Sequence, residues 1–239
     1  MTAKRKNSSP KQLVRSMVRK LRGYVPGEQP NVPGLIKLNT NENPYPPSPK
    51  VLAATQAAVD DRLRLYPNPT AQGLRVRLAK LHGVKPGNVI VGNGSDELLA
   101  LATRAFVEPA RDCVQYFTPS YSLYPVLAEV QNCNLEEIAL RDDWTLPTDF
   151  RESLNRSRAK MCILVNPHAP TGSLLSSTYI EELAESFKGV LVIDEAYVDF
   201  VDPTESYNCV PLIDSHQNIL ILRTLSKGYS LAGLRFGYG

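Results

Sequence analysis

The chain has 239 residues, of which 43% are hydrophobic and 21% charged, and its formal net charge is +3. These values are ordinary for a soluble globular protein of one large or two small domains, and no apolar run is long enough for a membrane helix. The four cysteines form no CxxC pair and do not cluster with the three histidines, so we expect reduced thiols, a cytoplasmic protein and no metal site.

The positive charge is confined to the N-terminus. Eight of the 27 Lys and Arg residues lie within the first 22 positions, and the rest of the chain has 19 bases against 24 acids, a net charge of −5. A globular domain with a net negative charge does not favour nucleic-acid binding.

The basic N-terminal segment predicts an amphipathic helix. Ser9 and Pro10 are typical of a helix start. Five apolar residues then share one helical face: Leu13, Val14, Met17, Val18 and Leu21. The favoured interpretation is an arm that packs on the body or on a partner subunit. An organelle transit peptide has the same composition, whereas a nucleic-acid tail is least favoured because the apolar face would then serve no purpose.

The next segment, residues 23–49, is rich in Pro, Gly and Asn and predicts an extended arm with loops. Pro49 is expected to begin a helix. Four side chains of that helix should face the protein interior: Val51, Leu52, Thr55 and Val59. After the turn LYPNPT, Thr70 is expected to cap a second helix that ends at Gly83.

From residue 89 onward the pattern alternates between strand, loop and helix. The expected strands are 89–91, 113–117, 160–165, 190–194 and 219–223. The last two are short apolar runs with little alternation, as expected of strands covered on both faces. The expected helices include 98–107, a helix after TPSYSLY, and 177–187. This order predicts an α/β fold with a mainly parallel sheet covered by helices on both faces. We divide the chain into a basic helix with an extended arm (1–48) and one large domain (49–239).

Polar residues follow the predicted strands. In such sheets ligands bind beyond the carboxyl ends of the strands. The residues at those ends are Ser95, Asp96, Tyr121, Asp194, Thr224, Ser226 and Lys227. Their common location predicts a ligand site.

Asp194 closes the apolar run VLVID. A carboxylate in that place is costly to ionise unless something cationic meets it. Two interpretations have about equal weight on this residue alone. The carboxylate caps the next turn, or it partners the pyridinium nitrogen of a cofactor and makes the ring a better electron sink.

Lys227 follows the last predicted strand in ILRTLSKGYSLAGLRFGYG. Partial desolvation would lower its pKa and make the amine nucleophilic. The hydroxyls of Thr224 and Ser226 and the guanidinium of Arg235 form a suitable phosphate clamp. A surface lysine is the alternative, and these neighbours disfavour it.

The segment GNGSDE lies between a strand and a helix. Backbone amides of Ser95 and Asp96 at the helix N-terminus could bind phosphate. Glu97 stands where a dinucleotide-binding fingerprint requires its third glycine, so GxG alone is weak evidence. Tyr121 is a candidate to stack on a flat ring, although most tyrosines in such turns only pack.

Six motifs together carry a family resemblance. YPNP, GNGSDE, TPSY, NPHAPTG, DEAY and TLSKxxxLAGLRxG, in this order, resemble the fold-type I aminotransferases. The arm, with LRGYVPGEQP and LNTNENPYPPSP, is similar to that of the histidinol-phosphate aminotransferases. The resemblance runs from about Leu21 to the last residue. It implies a homodimeric pyridoxal-phosphate (PLP) enzyme of histidine biosynthesis that exchanges amino and keto groups between glutamate and imidazole-acetol phosphate.

The resemblance also implies roles for single residues. Lys227 would bind the cofactor covalently and move a proton between the substrate carbon and the cofactor. Asp194 would pair with the pyridine nitrogen, Tyr197 with the phenolic oxygen, and Tyr121 would stack on the ring. The phosphate would be held by Ser95, Asp96, Thr224, Ser226 and Arg235. Tyr66 would reach the phosphate of the partner subunit. The residues bordering the substrate would be Asn41, Glu42 and Asn43.

The chain departs from the family pattern in two places. Ala169 stands where the family usually has the asparagine that bonds the phenolic oxygen. Either Tyr197 holds that oxygen alone, or His168 or Asn166 compensates, and we expect a shifted cofactor pKa rather than an inactive enzyme. The chain also stops at Gly239, before the smaller domain that the family carries.

Four alternatives therefore stay open. The sequence is a fragment of an active transaminase, or a truncated product that binds PLP without turnover. Among enzymes, an aromatic amino-acid aminotransferase and a PLP-dependent decarboxylase of an amino-acid phosphate share the same cofactor residues.

Overall fold

The computed structural model describes residues 13–21, 27–28 and 30–239. In these residues the α-helices are α1 Pro49–Ala57, α2 Gln72–His82, α3 Ser95–Phe106, α4 Leu123–Gln131, α5 Phe150–Arg156 and α6 Ser177–Ser186. The strands are β1 Val91–Asn93, β2 Cys113–Thr118, β3 Asn134–Ala139, β4 Ala159–Val165, β5 Val190–Asp194, β6 Ile219–Thr224 and β7 Phe236–Tyr238. They form one sheet in the order β1-β7-β6-β5-β4-β2-β3.

The pairs from β3 to β6 are all parallel. β7 then pairs with β6 in antiparallel orientation, and β1 pairs with β7 in antiparallel orientation. Val165 at the end of β4 lies beside Asp194, which in turn lies beside Leu222 of β6. The predicted α/β fold with a mainly parallel sheet is thus confirmed, and the carboxyl ends of the three central strands meet at one edge.

Two hydrophobic clusters explain why the central strands lack alternation. Leu191 and Ile193 of β5 belong to a cluster with residues of α5 and α6. Val192 lies on the opposite face, in a cluster with residues of α3 and α4. All three are fully buried. Because helices cover both faces, every residue along β5 favours an apolar side chain.

Some elements differ from the sequence-based expectation. The strand expected at 89–91 begins at Val91, because Val89 packs beside α2 in a small cluster of its own. β3, α5 and β7 were not predicted. β3 is an edge strand whose partly exposed sequence NLEEIA carries two acids, and β7 has only three residues, so neither has a strong apolar pattern.

The inward face predicted for α1 is wrong. None of its residues is buried in the described chain. Leu52 is 46% exposed, and Val59 just beyond the helix is 66% exposed. The apolar residues are present, but no described element of the same chain covers them.

The cap predicted for α2 is also wrong, whereas its end is confirmed. Ala71, with a φ of 49°, precedes the helix and contributes no side-chain cap. The Oδ1 of Asn68 instead accepts hydrogen bonds from the backbone N–H groups of Thr70 and Gln72, each at 3.1 Å. The Thr70 hydroxyl donates to the same oxygen and is therefore not available to the helix. Gly83 ends the helix with a φ of 70°.

Replacing Asn68 by Ala should lower the free energy of unfolding by about 1 kcal/mol, the usual effect of losing an N-terminal cap. Urea denaturation followed by circular dichroism would measure this loss. Asn88→Ala, in the exposed turn after α2, is the control and should change stability by much less. Equal stability of Asn68→Ala and the parent chain would contradict the capping role.

The N-terminal segment is described only in part. Val18–Lys20 forms a short 3-10 helix, and the predicted helix start at Ser9 and Pro10 lies outside the described residues. Leu13 is 77% exposed and Val14 42% exposed. Among the described helices, none has both the length and the apolar character needed to cross a membrane. The division into an arm (1–48) and a large domain (49–239) stays a prediction.

Candidate active site

A cavity of about 680 Å³ opens at the carboxyl ends of β4, β5 and β6. It brings together eleven of the residues predicted from the sequence: Asn41, Glu42, Ser95, Asp96, Tyr121, Asp194, Tyr197, Thr224, Ser226, Lys227 and Arg235. Tyr66 and Asn43 do not line it. The cavity therefore has a buried carboxylate, a lysine and several donors for an anion in one place.

Asp194 is 4% exposed and uses both carboxylate oxygens. Oδ2 accepts a hydrogen bond from the Tyr124 hydroxyl at 2.7 Å, and Oδ1 accepts one from the backbone N–H of Ala196 at 3.2 Å. Burial raises the pKa of Asp194 to about 6, and these two hydrogen bonds oppose the rise. The carboxylate both caps the following turn and lines the cavity, so the two interpretations of Asp194 do not exclude each other.

Lys227 follows β6, and its Nζ donates a hydrogen bond to the backbone oxygen of Thr40 at 2.8 Å. The same nitrogen lies 5.9 Å from the centre of the Tyr197 ring. Burial lowers the pKa of Lys227, and the positive charge of Arg235 adds to this effect, while Asp96 and Glu42 oppose it. A partly desolvated amine of this kind is suited to nucleophilic and base chemistry.

The opposite end of the cavity has the character of an anion site. Ser95 begins α3, so the positive end of the helix dipole faces the cavity. The Thr224 hydroxyl donates to the Ser226 hydroxyl at 2.9 Å, and both side chains are buried. The Arg235 guanidinium lies 3.2 Å from an Asp96 oxygen.

Two glycines let the backbone approach this end closely. Gly94 precedes α3 with a φ of 79°, and a Cβ there would lie 2.5 Å from the Arg235 guanidinium. A Cβ on Gly237 of β7 would collide with the Ser95 backbone nitrogen. Only glycine fits at either position without moving the anion site.

Tyr121 lines the cavity wall beside α4. Its hydroxyl donates to Asp96 Oδ1 at 3.3 Å. Its ring meets Tyr124 edge to face, with centroids 5.6 Å apart and an interplanar angle of 89°. The cavity thus has an aromatic wall next to the carboxylate of Asp194.

The N-terminal arm crosses the mouth of the cavity. The Asn41 amide donates to the Tyr197 hydroxyl at 2.7 Å, and the Asn43 amide donates to the Lys227 backbone oxygen at 3.1 Å. Glu42 lines the cavity and pairs with Lys37 at 2.7 Å. Asn43 therefore anchors the arm to the Lys227 loop, whereas Asn41 and Glu42 face the cavity.

Ala169 lines the cavity, and neither predicted substitute for its missing amide does. Asn166 bonds Leu175 with both ends of its amide, at 3.0 and 2.8 Å. His168 bonds the Thr171 hydroxyl and lines a neighbouring cavity instead. Asn41 is the amide that reaches Tyr197, and no local pattern predicts this contact because 156 positions separate the two residues.

A buried ion pair supports the loop that carries Asp194 and Tyr197. Glu195 is 1% exposed, and its carboxylate accepts hydrogen bonds from Arg223 Nε at 2.7 Å and from the Tyr207 hydroxyl at 2.8 Å. Burial raises the pKa of Glu195, while Arg223 and Tyr207 oppose the rise. Glu195 thus has a structural role beneath the site, separate from that of Asp194.

The sequence profile of the family described as "Aminotransferase class I and II" matches residues 33–239. The chain belongs to this family.

Two curated relatives are 45% identical to the chain. One is the histidinol-phosphate aminotransferase of Rhodopirellula baltica, matched over 94% of the chain and 60% of the relative. Another is histidinol-phosphate aminotransferase 1 of a Nostoc species, matched over 94% of the chain and 62% of the relative. The chain therefore spans about three fifths of the length of these relatives.

A solved structure has the same fold. The histidinol-phosphate aminotransferase of Sinorhizobium meliloti, in complex with pyridoxal-5'-phosphate, is 29% identical with a TM-score of 0.75. The match covers 83% of the present chain and 54% of that chain.

Proposed function

We propose that this chain binds PLP through Lys227 and forms the cofactor-binding part of a histidinol-phosphate aminotransferase. The reaction would exchange amino and keto groups between glutamate and imidazole-acetol phosphate. The observation that carries the proposal is the meeting of Lys227, Asp194 and the anion site around Arg235 in one cavity. The names of the 45% identical relatives support the substrate assignment.

The residues present fit PLP by their chemistry. A phosphate suits the α3 N-terminus, the hydroxyls of Thr224 and Ser226, and the Arg235 guanidinium. A protonated ring nitrogen suits Asp194, because its ionised form has no cationic partner among the described residues and would gain one. The Tyr197 hydroxyl and the Tyr121 ring would serve the phenolic oxygen and the ring face.

The chemistry of the reaction is divided between cofactor and chain. PLP, when bound, supplies an aldehyde for the substrate amine and a ring that withdraws electrons from the substrate carbon. Asp194 holds a proton on the ring nitrogen. Lys227 Nζ, with its lowered pKa, takes and returns the proton at the substrate carbon. Asn41 and Glu42 border the space left for the substrate.

We also propose a homodimer, because a group of apolar side chains lies uncovered around α1. Its members are exposed by 46% to 102%: Leu52, Val59, Leu63, Leu65 and Tyr66. Such a patch is typical of a subunit interface. Tyr66 would then act at the cofactor phosphate of the partner subunit.

The four cysteines are free, which favours a cytoplasmic location.

Charge in this apolar group should break the dimer. The double substitution Val59→Asp, Leu63→Asp would place carboxylates in the interface and shift the sedimentation coefficient from a dimer to a monomer. Val130→Asp, at an exposed apolar position of α4, is the matched control and should remain dimeric. A parent chain that sediments as a monomer at all concentrations would refute the dimer.

Substrate choice tests the proposed activity. The PLP-loaded chain should change its absorption spectrum at lower concentrations of histidinol phosphate than of tyrosine or O-phosphothreonine. A stronger response to tyrosine would favour an aromatic aminotransferase, and carbon dioxide release from the amino-acid phosphate would favour a decarboxylase. Either result would overturn the substrate assignment.

A further inference from the structure

Tyr124 lies directly behind the cavity and has no role in the function proposed above. It belongs to the first turn of α4 and is 1% exposed. Its hydroxyl donates to Asp194 Oδ2 at 2.7 Å. The ring is held on both sides, edge to face with Tyr121 and with Tyr116 at centroid distances of 5.6 and 5.7 Å. A ring fixed in this way cannot easily turn its hydroxyl elsewhere.

Asp194 depends on this hydrogen bond for its charge. Two charged groups of the described chain act on Asp194, namely Asp96 of α3 and Glu195, which follows Asp194 in the chain. Both negative charges disfavour ionisation of Asp194. Burial works in the same direction, whereas the Tyr124 hydroxyl and the Ala196 N–H favour the charged form. Tyr197 is the other titratable group affected by Asp194 from the cavity side.

We propose that Tyr124 is a positioning residue that holds Asp194 ionised and fixed in orientation, ready for the ring nitrogen of PLP. The inference rests on the proposed function, because bound PLP provides the ring nitrogen that Asp194 would pair with. A protonated carboxyl could not keep a pyridine nitrogen protonated. Tyr124 itself remains a reliable donor, because burial and the nearby Asp194 charge raise its own pKa well above the ordinary value.

The first test needs no cofactor. Asp194 has a pKa of about 6 in the fold against an ordinary 3.8, so its ionisation lowers stability as the pH rises through this window. Tyr124→Phe removes a donor to the charged form and should raise the pKa further. The stability difference between the parent chain and Tyr124→Phe should therefore widen as the pH rises past about 6. A difference that stays constant with pH would show a packing role only and overturn the inference.

The second test uses bound PLP. Tyr124→Phe should weaken PLP binding on the order of tenfold, the usual effect of losing a hydrogen bond to a buried charge, and shift the pH titration of the cofactor absorption. Tyr116→Phe is the matched control, because its hydroxyl bonds Glu137 and not Asp194; its titration should match the parent.

A double substitution separates positioning from general damage. In an Asp194→Asn background, Tyr124→Phe should lose most of its effect on PLP affinity, since there is no charge left to stabilise. If Tyr124→Phe weakened PLP binding by the same factor in both backgrounds, the inference would be overturned. If neither the parent chain nor a chain as long as the 45% identical relatives bound PLP, the proposed function would fall, and the pH dependence of stability would still show whether Tyr124 controls Asp194.

Discussion

Lys227→Ala is expected to release PLP completely during dialysis, whereas the parent chain should retain about one PLP per chain. Among the described residues that line the cavity, Lys227 is the only lysine. Its removal eliminates the covalent anchor and leaves only noncovalent contacts, chiefly those of the anion site around Arg235 and of Asp194. In any amino-transfer assay in which the parent turns over, the rate should fall by at least about a thousandfold, because the amine also acts as the base.

The matched control is Lys188→Ala, which removes an exposed lysine outside the cavity. It should retain PLP as the parent does. Retention by Lys227→Ala after dialysis, together with loss in the control, would place the anchor on another lysine and refute the role of Lys227.

Asp194→Asn is expected to have opposite effects on the fold and on the cofactor. In the parent, the pKa of Asp194 is about 6 in the fold and 3.8 ordinarily. The folded state therefore binds more protons than the unfolded state, and stability falls as the pH rises between these values. Asparagine does not ionise, so at pH 8 the substituted chain should be more stable by up to about 3 kcal/mol. The gain should disappear below about pH 4.

The same substitution should weaken PLP binding on the order of a hundredfold, because a ring cation would lose its buried anionic partner. Chemical denaturation at pH 8 and pH 4 without PLP, and PLP titration by absorbance, measure the two effects. The matched change Asp199→Asn, on an exposed residue outside the cavity, should leave PLP affinity unchanged. Unaltered PLP affinity in Asp194→Asn would contradict its assignment to the ring nitrogen.

The sequence predicted the sheet and the site where local patterns are strong. VLVID is apolar throughout because both faces of β5 are covered, and this property also marks Asp194 as the polar end of a buried strand. Asp194 and Lys227 each follow a strand of the same parallel sheet. The topology alone therefore brings them to one edge.

Local sequence patterns did not predict the contacts between segments that are distant in the chain. Lys227 donates to Thr40 across 187 positions, and nothing in either segment indicates the pairing. The Tyr124 hydroxyl donates to Asp194 across 70 positions, and nothing in TPSYSLY indicates this contact. The exposed face of α1 shows the opposite limit, since apolar periodicity indicates a face to be covered but not whether the cover belongs to the same chain.

The most direct measurement of the central claim is the location of bound PLP. The parent chain would be incubated with PLP, reduced with borohydride, digested and mapped by mass spectrometry. We expect one labelled peptide, with the cofactor on Lys227 and no label after the substitution Lys227→Ala. Label spread over exposed lysines, or absent from Lys227 both in this chain and in one as long as the 45% identical relatives, would contradict it.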